Sequence, residues 1–299
     1  MVKVIAEIGC NHKGDFKLAK EMIKVAANDC GVDIVKFQKR NNKELLGKKG
    51  YNSAHPNPDN SYGKTYGLHR DYLEFNMQQH KELKEYCENQ GVIYSVSVWD
   101  IISTKEVVLL NPEFIKIPSA TNLNFKMHSF LAKMYKGKIH ISMGMTSMKE
   151  IESIVKFYEK YNRLESLVIY SCTSGYPVPA EDLCLLEIDK LMKMYGTRID
   201  SYGFSGHHNG IAPDIAAYTI GFLQNTKPNT NFDFIERHFT LDRTWKGTDH
   251  AASLEPSGLK KLVRDLKNVS QALNYKKVDI LEIEISSRKK LKDIVAEEK

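Results

Sequence analysis

No run of apolar residues in this 299-residue chain approaches the ~20 that a membrane-spanning helix requires, which excludes a helical span. The N-terminus, MVKVIAEIGC, reaches the polar stretch NHKGD too soon to complete a signal-peptide apolar region and a small-residue cleavage site. Cysteine is scarce: Cys10, Cys30, Cys87, Cys172 and Cys184 are odd in number, scattered and without a CxxC pair, so structural disulfides are not expected. Internal repeats and low-complexity segments are absent. So is any arm of a single charge, because the formal charge of +6 comes from bases interleaved with acids. The densest basic run, RKKLK at 288–292, reads as a solvated terminal helix rather than a nucleic-acid or membrane patch. These absences describe a cytoplasmic protein that binds neither nucleic acid nor membrane. Part of the positive excess suits a pocket for an anionic substrate.

The composition, 42% hydrophobic and 27% charged, is that of a globular protein. Short β-branched runs alternate with amphipathic helical stretches, the pattern of parallel βα units. Strands are expected at 2–9, 33–38, 92–98, 114–119, 139–143, 167–171, 201–205 and 233–238, each followed by a helical pattern. Eight such units fill 1–273 and leave no room for a second domain. The count favours a closed (β/α)8 barrel over an open doubly wound sheet, with which alternation alone is also compatible. The longest irregular stretch, about 39–75, is expected to be a structured substrate flap, since loops of this length are commonly functional. The tail, 274–299, carries one β-like run, VDILEIEI.

In such a barrel, active-site groups gather at the C-terminal ends of the strands. Polar residues do recur there: Glu7, then Lys36 with Gln38, Ser95 with Ser97, Lys116 with Ser119, Ser142, the run SCTSGYP, SGHHNG, and Glu236 with His238 on one face of the last strand while Arg237 takes the other. Asp15 is placed to cap the first helix. Lys36 and Lys116 sit inside apolar strands. A lysine there either snorkels outward or, if both point inward, an anion must balance two buried ammonium groups that would otherwise cost several kcal/mol each. His207 and His238 close consecutive strands, so their imidazoles can converge on one divalent ion whose other positions are left to water and substrate oxygens.

The motifs AEIGCNHKGD, VKFQK, SYGKTYGLHR, IKIPSA, SMGMTS, CTSGYP, GFSGHHNG and ERHFTLDRTWKGTDHAASLEP, in that order over residues 3–273, resemble the catalytic barrel of the N-acetylneuraminate (sialic acid) synthases. The resemblance implies condensation of phosphoenolpyruvate with the open-chain aldehyde of N-acetylmannosamine, a related N-acyl hexosamine, or its 6-phosphate. The products would be a nonulosonic acid and inorganic phosphate. It implies phosphoenolpyruvate contacts from Lys36, Ser97, Lys116, Ser119, Ser142, Ser174 and Ser205, and catalytic roles for Glu7, Gln38, Glu236 and His238. Sugar contacts would come from Glu7, Gln38, Tyr176 and Asp249. The implied cofactor is a divalent metal, commonly Mn2+, on His207 and His238, and the implied assembly is a homodimer.

The chain departs from the family pattern at Thr121, where many relatives carry a carboxylate, and at Ser174, where they carry asparagine. Family members also continue into an antifreeze-like domain whose arginine reaches the N-acyl group of the partner subunit's sugar. None is recognisable in 274–299, so Lys64 and Arg70 of the 39–75 flap are the expected substitutes, and both would also suit a sugar phosphate. Three alternatives stand beside this reading: a 3-deoxy-ulosonate phosphate synthase, a Schiff-base pyruvate aldolase using Lys36 or Lys116, and a noncatalytic sugar-binding barrel.

Overall fold

In the computed structural model, which describes residues 2–225 and 231–293, eight parallel strands pair in chain order and the last closes onto the first. They are β1 (Lys3–Gly9), β2 (Ile34–Lys39), β3 (Ile93–Val98), β4 (Phe114–Ile117), β5 (Lys138–Ser142), β6 (Leu167–Cys172), β7 (Ser201–Gly206) and β8 (Phe232–His238). Between and after them run α1 (Phe16–Lys24), α2 (Asn42–Tyr51), α3 (Tyr66–Tyr72), α4 (Met77–Asn89), α5 (Ile101–Leu110), α6 (Phe125–Met134), α7 (Met148–Lys160), α8 (Leu186–Tyr195), α9 (Ala212–Gln224), α10 (Pro256–Ala272) and α11 (Glu282–Arg288). The expected (β/α)8 barrel is present, and the open sheet is not. β4 ends before the expected residue 119, because Pro118 has no N–H for a ladder and Ser119–Thr121 turn into a 3-10 helix. Among the described residues no helix is long and apolar enough to cross a membrane.

Side chains alternate across a strand, so each strand sends one column toward the barrel axis. Low in the barrel the columns are apolar: Ile5, Ile34, Phe114, Val168, Tyr170 and Phe234 form one buried cluster. Each such side chain stabilises the fold by about 1.5–3 kcal/mol relative to exposure. His140 completes the plug, stacked on Phe114 at 3.8 Å between ring centroids and 2.8 Å from the Tyr170 hydroxyl. Burial lowers its pKa far below the imidazole range and keeps it neutral. Gly203 makes space for Tyr170, since a Cβ there would lie 2.6 Å from the ring. Two residues further along the strands the columns turn polar, from Ile5 to Glu7, Ile34 to Lys36, Phe114 to Lys116 and Phe234 to Glu236. That switch builds the floor of the site.

The alternate columns pack against the helices. Arg237 follows this rule even as a charge: it is fully buried, pairs with Asp214 of α9 at 2.5 Å and donates to the His208 carbonyl. Asp15 caps α1 as expected, accepting from the Lys17 and Leu18 amides at 2.8 and 3.1 Å.

The 39–75 stretch, expected to be irregular, holds two helices. Asn41 caps α2 and Thr65 caps α3. Asn42 joins the two through Asp71 at 2.8 Å, and the Tyr51 hydroxyl bonds the same carboxylate. Gly67 permits this contact, because a Cβ there would sit 2.3 Å from the Tyr51 ring. The segment also reaches the loop after β8, with the Tyr62 hydroxyl donating to the Lys246 carbonyl at 2.5 Å and the Gly247 amide to Asn60 at 3.3 Å. These contacts pack the segment against the loop that follows the last strand.

The chain divides into two compact units, 1–266 and 267–299, with the division inside α10. In the second unit the β-like run VDILEIEI becomes helical from Glu282, where Glu284 accepts from the Leu281 amide and from Lys276. Among the described residues that unit holds no strand with which an extended run could pair, whereas a helix satisfies its backbone locally. The RKKLK run is helical and exposed, as expected.

Candidate active site

At the C-terminal strand ends the polar columns open into a cavity of about 320 Å³. Glu7, Lys36, Gln38, Arg70, Ser97, Lys116, Ser119, Ser142, Ser174, Tyr176, Ser205, His207, Glu236, His238 and Asp249 all line it. Of the polar strand-end and flap residues singled out from the sequence, Ser95 and Lys64 do not: the Ser95 hydroxyl donates to the Phe114 carbonyl at 3.0 Å, and Lys64 belongs to the flap. Lys64 is exposed on the segment leading to α3 and does not line the cavity, which corrects its expected place in the site.

Both strand lysines point inward, and both are 2% exposed, so neither snorkels. Lys36 Nζ lies 2.5 Å from Glu7 Oε2, 2.6 Å from Ser97 Oγ and 3.6 Å from Glu236 Oε1. Lys116 Nζ lies 2.6 Å from Glu236 Oε1 and 4.2 Å above the Tyr170 ring. The balancing anions inferred from the sequence thus come first from the chain itself, as Glu7 on the neighbouring strand β1 and Glu236 on β8, across the barrel from Lys116. Burial would raise the Glu236 carboxyl, but the two ammonium groups outweigh it and hold the pKa at about 2. Burial lowers the Lys116 ammonium while Glu236 draws it back. The tetrad is a charged, near-neutral cluster whose hydrogen bonds can be exchanged for those of an incoming anion. Gln38 orients Glu7, its Nε2 donating to Oε1 at 2.7 Å. Ser205 donates to Glu236 Oε1 at 3.2 Å, and Glu236 Oε2 is buried without a hydrogen-bond partner.

One wall is a set of neutral donors. Ser119 Oγ accepts from the Gly144 amide at 3.1 Å, and Ser174 Oγ approaches the same glycine. A Cβ at 144 would sit 2.5 Å from Ser174 Oγ and 2.7 Å from Ser119 Oγ, so only glycine lets the two hydroxyls and the backbone converge. Such a cradle suits the oxygens of a phosphate or carboxylate.

The His207 and His238 rings stand 5.4 Å apart between centroids, with Tyr176 4.4 Å from His207 and 5.8 Å from His238. Burial, reinforced by the neighbouring His238, lowers His207 to about 3, so its imidazole is neutral and able to ligate. His207 Nδ1 sits 3.0 Å from the Thr173 carbonyl, a contact that fixes the tautomer and leaves Nε2 for a ligand. His238 Nδ1 is buried without a hydrogen-bond partner, 4.0 Å from Asp249 Oδ2. Burial would raise the Asp249 carboxyl, but His238, the Thr248 hydroxyl and the arginines hold it below the usual range. Among the described residues no group of three or more His, Cys, Asp or Glu side chains forms a metal cage. Two converging imidazoles, one neutral and the other with an orphaned nitrogen, fit an open divalent site completed from outside the protein rather than a closed structural one.

Sequence reasoning missed Arg40, Trp99, Met145, Cys172 and Thr248, all of which line the cavity. The signal for three of them was present. Arg40 continues the inward parity of Lys36 and Gln38, Trp99 that of Ser95 and Ser97, and Cys172 that of Tyr170. The Arg40 guanidinium pairs with Glu74 at 2.9 Å and lies 4.5 Å over the Trp99 ring.

A family model described as the NeuB family matches residues 22–278. The N-acetylneuraminate-9-phosphate synthase of Homo sapiens is 37% identical over 302 residues, which span 99% of this chain and 78% of that one. The N,N'-diacetyllegionaminic acid synthase of Campylobacter jejuni is 31% identical over 271 residues, 90% of this chain and 77% of that one. Among solved structures, the N-acetylneuraminic acid synthetase of Leptospira borgpetersenii in complex with citrate aligns with a TM-score of 0.78 at 27% identity, covering 97% of this chain and 92% of that one. The chain is an enzyme of the NeuB family, the sialic acid synthase family that its motifs resemble.

Proposed function

We propose that the protein joins phosphoenolpyruvate to the open-chain aldehyde of an N-acyl hexosamine, or its 6-phosphate, giving a sialic-acid-type nonulosonic acid and inorganic phosphate. The observation that carries this reading is the convergence, in one cavity, of a lysine-bearing floor, a serine and glycine cradle and a pair of imidazoles. Lys36 and Lys116 meet the anionic groups of phosphoenolpyruvate, each contact contributing about 1.5–3 kcal/mol as a charged hydrogen bond. Ser97, Ser119, Ser142, Ser174, Ser205 and the Gly144 amide supply neutral donors. Glu7, Gln38, Tyr176 and Asp249 line the side from which the sugar enters. A divalent ion, Mn2+ in this reading, would be held by His207 and His238 and would polarise the aldehyde oxygen, a Lewis-acid contribution of several kcal/mol.

Carbon 3 of phosphoenolpyruvate forms the new bond to the aldehyde carbon with its π electrons, leaving carbon 2 cationic, and the aldehyde oxygen becomes an alkoxide that takes up a proton to give the product hydroxyl. Water then adds to the cationic carbon 2, and phosphate leaves by cleavage of the carbon–oxygen bond. Glu236 Oε2, free of hydrogen bonds, is placed to take the proton of that water. A carboxylate held near a pKa of about 2 suffices for this, because water bonded to a carbocation is strongly acidic. The five free cysteines suit a reducing, cytoplasmic compartment. Both lysines are engaged as ammonium ions with carboxylates, which disfavours the Schiff-base alternative. The test is twofold. Chelator should abolish activity and manganese restore it, whereas borohydride with pyruvate should leave no adduct on Lys36 or Lys116. Chelator-resistant activity together with a trapped lysine would overturn the proposal in favour of an aldolase.

A further inference from the structure

Four cations line the cavity, and three have a carboxylate within bonding distance: Lys36 has Glu7, Lys116 has Glu236 and Arg40 has Glu74. Arg70 is the exception among the described residues. Its guanidinium bonds only the Tyr66 hydroxyl, from Nε at 3.1 Å and Nη2 at 2.6 Å. A guanidinium carries five N–H donors, so three remain after these two bonds. The tyrosine ring beneath it, 5.1 Å away, and the Trp99 ring, 5.9 Å away, fix the plane of the fork. Trp99 also presents a buried indole Nε1 without a hydrogen-bond partner on the same wall. Arg40 is locked behind Trp99 by Glu74 and cannot turn toward a ligand without breaking that pair. Half-buried, pre-oriented and without an acidic partner, Arg70 is arranged to receive an anion rather than to stabilise the fold.

Its position says which anion. Arg70 belongs to α3 of the flap, not to a strand, and so stands at the rim while the lysine floor lies at the strand ends. The acceptor must direct its aldehyde down toward phosphoenolpyruvate, which leaves its far end, carbon 6, at the rim. On the condensation proposed above, we infer that Arg70, with the Trp99 indole N–H, is the residue that selects an acceptor phosphorylated at carbon 6. Tyr66 positions it.

The experiment compares kcat/KM for N-acetylmannosamine and its 6-phosphate, with phosphoenolpyruvate and manganese, in the parent, Arg70→Ala, Arg70→Lys, Tyr66→Phe and Lys64→Ala. The parent is expected to prefer the phosphorylated sugar. The ratio of the two values should fall roughly ten- to a hundredfold in Arg70→Ala, the worth of a lost charge-assisted fork. It should recover only in part in Arg70→Lys, fall a fewfold in Tyr66→Phe and hold in Lys64→Ala, whose side chain lies outside the cavity. A ratio is insensitive to loss of folded enzyme. No preference in the parent, or a ratio preserved in Arg70→Ala, overturns the assignment while leaving the condensation intact. Turnover of neither sugar overturns both.

Discussion

Replacing Lys116 with Met removes one charge from a buried cluster of two lysines and two glutamates. Glu236 then loses a partner at 2.6 Å and keeps Lys36 at 3.6 Å. Breaking a buried pair costs about 3–5 kcal/mol when the other charge is left uncompensated. Lys36 still attracts Glu236 by about 5 kcal/mol at an effective dielectric near 20, so the loss should fall at the low end, about 3 kcal/mol. Glu236→Gln should cost a similar amount, because Lys116 is left with only the Tyr170 face as a counterweight. The double variant leaves Lys36 with Glu7 at 2.5 Å and no orphaned charge. Its loss should therefore be smaller than the sum of the single losses by about 2 kcal/mol. Urea unfolding of the four proteins at pH 7, with the denaturant slopes compared, measures this coupling. Losses that add within about 0.5 kcal/mol would refute the idea that these residues balance one another.

Gly144→Ala should weaken phosphoenolpyruvate binding more than tenfold in calorimetry, because the new methyl would displace Ser174 and Ser119; unchanged affinity would remove the cradle from the site. The His207→Ala, His238→Ala double variant should fail to recover activity when manganese is added to chelated protein, and full activity in metal-free buffer would contradict the assignment of both residues. His128 gives a pH test. It is buried between the Tyr158 hydroxyl and the Asn122 carbonyl, each 2.8 Å away, and burial lowers it from 6.5 to about 4. The unfolded chain takes up this proton at higher pH than the native one, so the contribution is present above pH 6.5 and is lost as pH falls through about 4. Linkage makes it about 3 kcal/mol. His128→Gln should lose less stability between pH 7 and pH 4 than the parent by that amount, and equal losses would show that another group governs acid unfolding.

The barrel was legible because period-two alternation and its spacing are local properties of the chain. The inward lysines were legible for the same reason, since Lys36 and Gln38 share a parity. Their partners were not. Glu236 meets Lys116 120 positions earlier in the chain, and no local pattern announces a pairing across a barrel. Consequently two cations seemed to require an external anion when Glu7 and Glu236 already balance them. Lys64 and Arg70 look equivalent as basic residues on one flap. The cap at Thr65 starts α3 between them and carries Arg70 to the rim while Lys64 faces solvent. The 39–75 stretch read as irregular because its helices are short and held by contacts such as Gly67 on Tyr51, which depend on the tertiary fold. VDILEIEI alternates like a strand, yet among the described residues its own unit offers no ladder to join.

The central claim is that a single cavity brings phosphoenolpyruvate and a sugar aldehyde together at a metal. The most direct measurement is release of inorganic phosphate from phosphoenolpyruvate across a panel of hexosamines, hexosamine phosphates and pentose phosphates, with and without manganese. The account predicts release only when an N-acyl hexosamine or its 6-phosphate and manganese are both present, with one nonulosonic acid formed per phosphate. Release that is greatest with a pentose phosphate, or that proceeds without any sugar, would contradict it.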